Sequence, residues 1–237
     1  QVAKHAGFCF GVRRATKAAE DALERGEGAI YTLGRLIHND GYVTDLQHRG
    51  MGEISPRDLD DICRRAESGE RITVIIRAHG EVRENLSRLL TCAQNHENLT
   101  VLDCTCPYVT KVREIAAAHS GENQLFILIG AADHPEVQGI MSCCRGEGRV
   151  FDSAAALSRW ISAEAVKYEK YQVSVAAQTT QKLSEWKKCL KIIKKVHTNA
   201  LIFDTICNVT EESQTETEHL AYSSDAIILI SSRGSSN

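Results

Sequence analysis

The sequence lacks the features that direct a protein to a membrane or to nucleic acid. No apolar run approaches the roughly 20 residues that a membrane-spanning helix needs, and no tract of lysines and arginines occurs. The formal net charge is only −3 over 237 residues, and aromatic residues make up 5%. Composition and charge therefore predict a globular protein with no nucleic-acid or membrane partner.

Several motifs that bind common cofactors are absent as well. Neither the GxxxxGK[ST] loop nor the GxGxxG loop occurs, so nucleotide and dinucleotide binding lack support. There is no CxxC pair or paired Cys/His spacing, which disfavours a classical zinc site. The CxxxCxxC signature of radical enzymes that use S-adenosylmethionine is also missing.

Cysteine, by contrast, is abundant. The chain has nine cysteines, an odd number, and no visible signal peptide. A secreted disulfide protein would more often be short and have an even set. We therefore expect a reducing compartment and metal-bound thiolates, with a cytoplasmic location in a bacterium as the main expectation and a plastid as the alternative.

Three of the cysteines stand at the same kind of junction between a strand and a helix. Cys106 follows an apolar strand pattern and directly precedes Pro107, where a helical pattern begins. Cys207 follows a similar strand, and Cys9 opens an amphipathic helical stretch. A cysteine followed by proline at such a boundary often presents a thiolate to an iron–sulfur cluster. Because the spacings are nearly equal, 97 and 101 positions, we infer three similar units that each offer one thiolate.

The other cysteines leave an alternative open. Residues i and i+2 of a strand face the same side, so Cys104 could be a fourth ligand beside Cys106. Three thiolates on a four-iron cluster leave one iron open as a Lewis acid, whereas four give a closed electron-transfer centre. We favour three. The remaining cysteines are interpreted as buried structural residues: Cys63, Cys92, Cys143, Cys144 and Cys189.

Strand and helix patterns alternate almost throughout, which is typical of α/β proteins with parallel sheets. We expect three α/β units at residues 1–99, 100–198 and 199–237. The third should be incomplete, because its predicted strand 226–230 ends in a loop without a following helix. The chain begins with Gln1 rather than Met, so we expect a fragment at both ends that has little activity by itself.

The carboxyl ends of parallel strands are where ligands gather in such folds, and polar residues follow several predicted strands. His38, His79 and His134 suit a multiply charged oxyanion such as diphosphate. Glu136 would deliver protons if it were buried in a dry pocket, because burial raises the pKa of a carboxyl group; complementing a helix N-terminus is its simpler role.

Hydroxyl groups stand at two further strand ends. Thr179 follows one predicted strand, with an ordinary helix cap as its alternative role. The end of the chain offers a phosphate site where a helix should begin, with a solvated loop as the alternative: Ser235, Ser236 and Asn237.

Taken together, these residues resemble the LytB (IspH) family of 4-hydroxy-3-methylbut-2-enyl diphosphate reductases. The matching stretches occur in the family's order across essentially the whole chain. They are 6–15 (AGFCFGVRRA), 37–39 (IHN), 77–80 (RAHG), 103–107 (DCTCP) with 109–112 (VTKV), 134–139 (HPEVQG), 178–180 (QTT), 205–207 (TIC) and 235–237 (SSN).

The resemblance implies three α/β domains in a trefoil around one 4Fe–4S cluster. Its ligands would be Cys9, Cys106 and Cys207, the three that the spacing selects. Thr179 would hold the hydroxyl region of the substrate, and Glu136 would be the proton source. The substrate diphosphate would lie among His38, His79, His134, Ser235, Ser236 and Asn237.

The implied reaction is a two-electron reductive removal of the allylic hydroxyl group of the substrate. It gives isopentenyl and dimethylallyl diphosphates, in the last step of the non-mevalonate (MEP) isoprenoid pathway, with ferredoxin or flavodoxin as electron donor. The competing hypothesis is a non-catalytic iron–sulfur electron carrier or redox sensor on the same scaffold. Four cysteine ligands and no affinity for diphosphate would favour that alternative.

Overall fold

A computed structural model describes residues 2–230 of the protein. These residues divide into two compact units. The N-terminal unit comprises residues 8–107, and the C-terminal unit comprises residues 108–229 together with residues 2–7. Each unit is built on a four-stranded parallel sheet.

The sheet of the N-terminal unit has the strand order β2-β1-β3-β4. All neighbouring strands are parallel, so each must be reached by a crossover connection. The strands are β1 (Ala29–Leu33), β2 (Met51–Ile54), β3 (Ile72–Ile76) and β4 (Leu99–Asp103), and the helices are α1 (Phe10–Arg25), α2 (Asp40–His48), α3 (Leu59–Glu67) and α4 (Arg83–Asn95).

Two apolar clusters cover the two faces of this sheet. Side chains alternate along β3, so that Ile75 packs with α1 and α2 while Val74 and Ile76 pack with α3 and α4. The helix α1 lies close to the sheet because small residues recur on its inner face at helical spacing. Those residues are Gly11, Ala15, Ala19 and Ala22.

The C-terminal unit repeats this architecture. Its strand order, β6-β5-β7-β8, has the same form as that of the first sheet, and its strands are again parallel. Its strands are β5 (Gln124–Ile129), β6 (Glu147–Phe151), β7 (Gln172–Ala177) and β8 (Leu201–Ile202), and its helices are α5 (Pro107–Ala118, whose first residue closes the N-terminal unit), α6 (Pro135–Met141), α7 (Ala154–Glu164), α8 (Leu183–Val196) and α9 (Asn208–Ser223).

The predicted α/β class with parallel sheets is confirmed. The strand β2 has no apolar run over its four residues, so a strand pattern in the sequence does not predict it. The predicted strand 226–230 is wrong: these residues form no strand in the described part of the chain. A strand exists only when its backbone pairs with another strand, and Ile228 and Ile230 are 88% and 96% exposed.

The division into three units at 1–99, 100–198 and 199–237, and the trefoil arrangement, stay predictions. Within residues 2–230, no helix combines the length and the apolar composition needed to cross a bilayer.

Candidate functional site

Two of the three selected cysteines lie side by side in the N-terminal unit. Cys9 is the N-cap residue of α1, and its side chain makes no capping hydrogen bond. A Cβ atom added to Gly11, two residues later, would lie 2.9 Å from the Cys106 sulfur and 4.0 Å from the Cys9 sulfur. Glycine at this position therefore lets the Cys106 side chain lie directly against the first turn of α1, close to the Cys9 sulfur.

The segment that carries Cys106 is held by main-chain hydrogen bonds. The Cys106 N–H donates to the Ala78 carbonyl oxygen at 2.9 Å, next to His79. The Arg14 guanidinium donates to the carbonyl oxygens of Asp103 and Thr105, at 2.9 and 3.1 Å. The first helix of the chain thus fixes the backbone on which the second cysteine sits.

His38 and His79 also lie together in the N-terminal unit. Their ring centroids are 5.1 Å apart, and each ring follows the carboxyl end of a strand. Burial lowers the pKa of His38, and the positive charges of Arg77 and Arg35 lower it further. His38 is therefore a neutral imidazole near pH 7, and it gains a proton more readily when an anion binds beside it.

A buried ion pair that sequence reasoning missed supports this pair of histidines. The side chains of Arg77 and Glu81 are 15% and 6% exposed and approach to 3.6 Å. The Arg77 guanidinium also lies over Gly34, where an added Cβ atom would meet it at 2.7 Å. Gly34 has a φ of +67°, so both its backbone and its missing side chain favour glycine. Within this unit, Arg77 links the loop before His38 to the loop that carries His79.

His134 and Glu136 begin α6 in the C-terminal unit. His134 is the N-cap residue, and its Nδ1 accepts a hydrogen bond from the Glu136 N–H at 3.1 Å. In the neutral ring the proton is therefore on Nε2. Pro135 occupies the first helical position, where its missing N–H costs nothing.

The carboxyl group of Glu136 is hydrogen-bonded to Thr179. It accepts the Thr179 N–H at 2.6 Å and the Thr179 hydroxyl at 3.0 Å. Glu136 is 1% exposed, and burial raises its pKa to about 7 although both hydrogen bonds oppose the rise. Thr179 does not cap α8, whose N-cap residue is Lys182. The arrangement gives a buried carboxyl group that exchanges a proton near neutral pH.

Cys207 is connected to the same threonine. It is the N-cap residue of α9, without a side-chain capping hydrogen bond, and its N–H donates to the Thr179 carbonyl oxygen at 2.9 Å. The segment between β8 and Cys207 is held by Thr205, whose hydroxyl accepts the Ala177 N–H at 2.8 Å and donates to the Ala177 carbonyl oxygen at 2.6 Å. Within the C-terminal unit, Thr179 thus lies between the carboxyl group and the cysteine.

These side chains fit an iron–sulfur cluster better than a hard metal ion. Thiolates are the ligands that iron–sulfur clusters use, and all three cysteines stand at or next to helix N-termini, where negative charge is favoured. The Cys106 sulfur lies against Gly11 at the start of α1, near the Cys9 sulfur, so two of these thiolates are close together. Cys104 differs from the three. It is 4% exposed, its side chain packs in the apolar cluster beneath α1, and burial raises its pKa.

Among the remaining cysteines, Cys63 and Cys92 form a disulfide that joins α3 to α4. The sequence by itself predicts buried structural residues at both positions, because no local pattern predicts a pairing across 29 positions. The predicted phosphate-binding residues Ser235, Ser236 and Asn237 lie outside the described residues.

Known proteins resemble this chain along its whole length. Residues 1–237 match the family described as LytB protein. A 4-hydroxy-3-methylbut-2-enyl diphosphate reductase of Aquifex aeolicus is 36% identical over 239 residues, covering 100% of this chain and 75% of the relative. A protein of the same name from Geobacter sulfurreducens is also 36% identical and is covered over 76% of its length.

Two solved structures share the fold. One is a structure of (E)-4-hydroxy-3-methyl-but-2-enyl diphosphate reductase, with a TM-score of 0.72 and 35% identity over 99% of this chain and 77% of the other. The other is the E-1-hydroxy-2-methyl-but-2-enyl-4-diphosphate reductase of Plasmodium falciparum, with a TM-score of 0.80 and 25% identity over 98% of this chain and 68% of the other.

Proposed function

The chain belongs to the LytB family, and we propose that it removes the allylic hydroxyl group of 4-hydroxy-3-methylbut-2-enyl diphosphate by reduction. The products are isopentenyl and dimethylallyl diphosphates, as in the last step of the non-mevalonate isoprenoid pathway. The observation that carries the proposal is the buried Glu136 carboxyl group, bonded to Thr179 and with a pKa of about 7. Loss of a hydroxyl group as water requires a proton donor of this kind.

The balance of the reaction defines what the protein must supply. One substrate takes up two electrons and two protons; the C–O bond breaks, and the oxygen leaves as water. Glu136 supplies a proton, because its raised pKa leaves the carboxyl group partly protonated at neutral pH. Thr179 holds that carboxyl group through two hydrogen bonds and presents its own hydroxyl next to it, where the hydroxyl region of the substrate would bind.

We further propose that Cys9, Cys106 and Cys207 hold one 4Fe–4S cluster. The closeness of the Cys9 and Cys106 sulfur atoms around Gly11 and the uncapped position of Cys207 support this ligand set. When bound, such a cluster supplies electron transfer and one iron that is free to act as a Lewis acid. The burial of Cys104 among apolar side chains supports three ligands rather than four.

Histidines would bind the diphosphate end of the substrate. In the N-terminal unit the pKa of His38 is lowered, and a dianionic phosphate beside it would reverse that shift. In the C-terminal unit the Nδ1 atom of His134 is occupied by the Glu136 N–H, which leaves Nε2–H as the donor. The proposed diphosphate-binding set is His38, His79, His134, Ser235, Ser236 and Asn237.

The electrons would come from ferredoxin or flavodoxin, and the reaction would take place in the cytoplasm. A non-catalytic electron carrier or redox sensor is the competing hypothesis. Glu136 argues against it, because an electron carrier has no use for a buried acid that titrates near pH 7.

Anaerobic reconstitution of the full-length protein with iron and sulfide tests the proposal. We expect about four irons for each chain, a spectral change when the substrate is added, and both product diphosphates when dithionite-reduced methyl viologen is supplied. A loaded protein that neither responds to the substrate nor forms product would contradict the proposal and favour the electron carrier.

A further inference from the structure

The outer face of α1 begins directly after Cys9 and has an unusual composition. Phe10, Arg13, Arg14 and Lys17 follow the helical spacing i, i+3, i+4 and i+7, so they form one continuous stripe. All four are exposed, and the Phe10 side chain is 58% exposed. We refer to these four residues as the α1 stripe. It lies opposite the small residues with which α1 packs against the sheet.

The positive charge of the α1 stripe is opposite in sign to the charge that is favourable near a helix N-terminus. Cations are unfavourable near a helix N-terminus, where the helix dipole is positive. Nevertheless, three cations lie in the first two turns of α1, and its first turn contains no acidic residue. The acidic residues Glu20, Asp21 and Glu24 all lie further along the helix. The helix dipole therefore does not account for these three cations, although Arg14 also holds the segment that carries Cys106 and Lys17 pairs with Asp21.

Next to these cations is exposed aromatic surface. Phe8, which is 37% exposed, and Phe10 flank Cys9 on its two sides. Arg13 donates a hydrogen bond to the Phe8 carbonyl oxygen at 2.8 Å, which fixes the segment on which both rings stand. A carbonyl partner leaves the arginine's positive charge in place. An apolar centre with a cationic rim is a typical composition of a surface that binds an acidic protein.

We propose that the α1 stripe and Phe8 are the surface on which an acidic one-electron carrier protein docks. This inference rests on the proposed function, which requires electrons from outside the chain. Each encounter oxidises the carrier by one electron and reduces the site by one, so two encounters and two protons are needed for each hydroxyl group lost as water. The surface begins one residue from Cys9, a proposed cluster ligand, and electron transfer is fastest over the shortest path.

Two substitutions with matched controls on the opposite face of the sheet test this surface. Lys17→Glu reverses the charge of a side chain that is 75% exposed and that pairs with Asp21 at 3.0 Å. Its control is Arg64→Glu on α3, where the side chain is 72% exposed and pairs with Asp61 at 3.0 Å. Phe10→Ala removes the exposed ring, and Leu90→Ala on α4, at a residue that is 40% exposed, is its control.

The first readout is binding, which needs no turnover. The loaded full-length protein is titrated with an acidic ferredoxin in a calorimeter, at low salt and at about 0.5 M salt. Reversing one charge at a steered interface should weaken binding roughly three- to tenfold at low salt, and salt should remove most of the difference. Phe10→Ala should weaken binding at both salt concentrations, because burial of apolar surface is not screened.

The second readout separates docking from chemistry. With reduced ferredoxin, Lys17→Glu and Phe10→Ala should raise KM, whereas both controls should behave like the wild type. With dithionite-reduced methyl viologen, all four variants should turn over at the wild-type rate. If Lys17→Glu and Phe10→Ala have the same ferredoxin affinity and KM as their controls, the docking surface is wrong. The proposed function would be unaffected by that result. In the opposite result, the wild type forms no product with methyl viologen, and Lys17→Glu still binds ferredoxin more weakly than the wild type does. That result would overturn the proposed function and support the docking surface.

Discussion

The carboxyl group of Glu136 accepts both the N–H and the hydroxyl of Thr179, at 2.6 and 3.0 Å, although 43 positions separate the two residues. The same threonine accepts the Cys207 N–H through its carbonyl oxygen at 2.9 Å. One residue at the end of β7 therefore positions both a buried acid and a cysteine.

Replacing Glu136 by glutamine should remove the proton donor and keep the shape of the side chain. General acid catalysis typically contributes about 10²–10⁴-fold, so turnover in the full-length protein should fall by roughly that factor. Iron content and the spectral response to the substrate should stay near wild type, since neither needs the proton. Glu164→Gln, at an exposed position of α7, is the control. Near-normal turnover in the Glu136→Gln variant would remove Glu136 from the mechanism, and loss of its iron would assign it a structural role.

The rate should also depend on pH through this carboxyl group. Burial raises the pKa of Glu136 to about 7, and only the protonated acid can donate. The turnover number should therefore fall as the pH rises through about 7, with a limiting slope of tenfold per pH unit. The Glu136→Gln variant should lack this descending limb. A wild-type profile that stays flat between pH 6 and pH 8.5 would contradict the assignment.

The raised pKa makes a separate prediction about stability. The folded protein holds this proton up to about pH 7, whereas the unfolded chain releases it near the ordinary value of 4.5. The favourable contribution is thus complete below about pH 4.5 and is lost as the pH rises to about 7. The unfolding free energy of the wild type, relative to that of Glu136→Gln, should fall by about 3 kcal/mol between pH 4.5 and pH 8. Urea titrations of both proteins across this range measure the difference, and a constant difference would show that burial does not shift this pKa.

The three cysteines selected by their position should each be needed for the cluster. Cys9→Ser, Cys106→Ser and Cys207→Ser should lose most of the bound iron, because hydroxyl groups are poor substitutes for thiolates. Cys104→Ser should keep its iron, since this side chain is buried in the apolar cluster beneath α1. Iron and sulfide analysis of each purified variant decides the ligand set. Equal loss of iron from Cys104→Ser and Cys106→Ser would contradict the three-ligand proposal.

Gly11→Ala tests the close approach of the Cys106 sulfur to α1 without altering a ligand. The added Cβ atom would lie 2.9 Å from the Cys106 sulfur. Overpacking typically costs about 1–3 kcal/mol, so resistance of the cluster to a chelator should fall roughly five- to hundredfold. Gly41→Ala on α2 is the matched control, because its nearest neighbour would be the Asn39 side-chain oxygen at 3.8 Å. Circular dichroism of the unloaded proteins should show both variants folded. Equal chelator resistance in both would mean that the cluster does not need this close approach.

The Cys63–Cys92 disulfide should stabilise the N-terminal unit in the absence of reductant. It closes a loop across 29 positions, for which the chain-entropy estimate is about 3–4 kcal/mol. Adding dithiothreitol should lower the unfolding free energy of the wild type by about that amount and leave the Cys63→Ser/Cys92→Ser double variant unchanged. If reductant affects both proteins alike, the change comes from other thiols and not from this bond.

The sequence by itself determined the class of fold and the positions of the candidate ligands, because both can be predicted from patterns of residues that are close together in the chain. Continuous apolar runs such as 124–129 identify buried parallel strands. Cysteine at the boundary between a strand and a helix is a local feature, and Cys9 and Cys207 are indeed helix N-cap residues, while Cys106 directly precedes the first residue of α5. The prediction of a strand at 226–230 used the same local rule and was wrong, because a strand also needs a partner that lies elsewhere in the chain.

Only the tertiary structure decided how these residues behave chemically. The pKa of Glu136 is raised because residues distant in sequence bury it, and no local pattern encodes that burial. The position of the Arg77 guanidinium over Gly34 depends on a contact between two loops that are more than 40 positions apart. The pairing of Cys63 with Cys92 depends on how α3 and α4 pack on one face of the sheet. Helices and strands follow from local periodicity, whereas proton affinity and pairing follow from the neighbours that folding brings together.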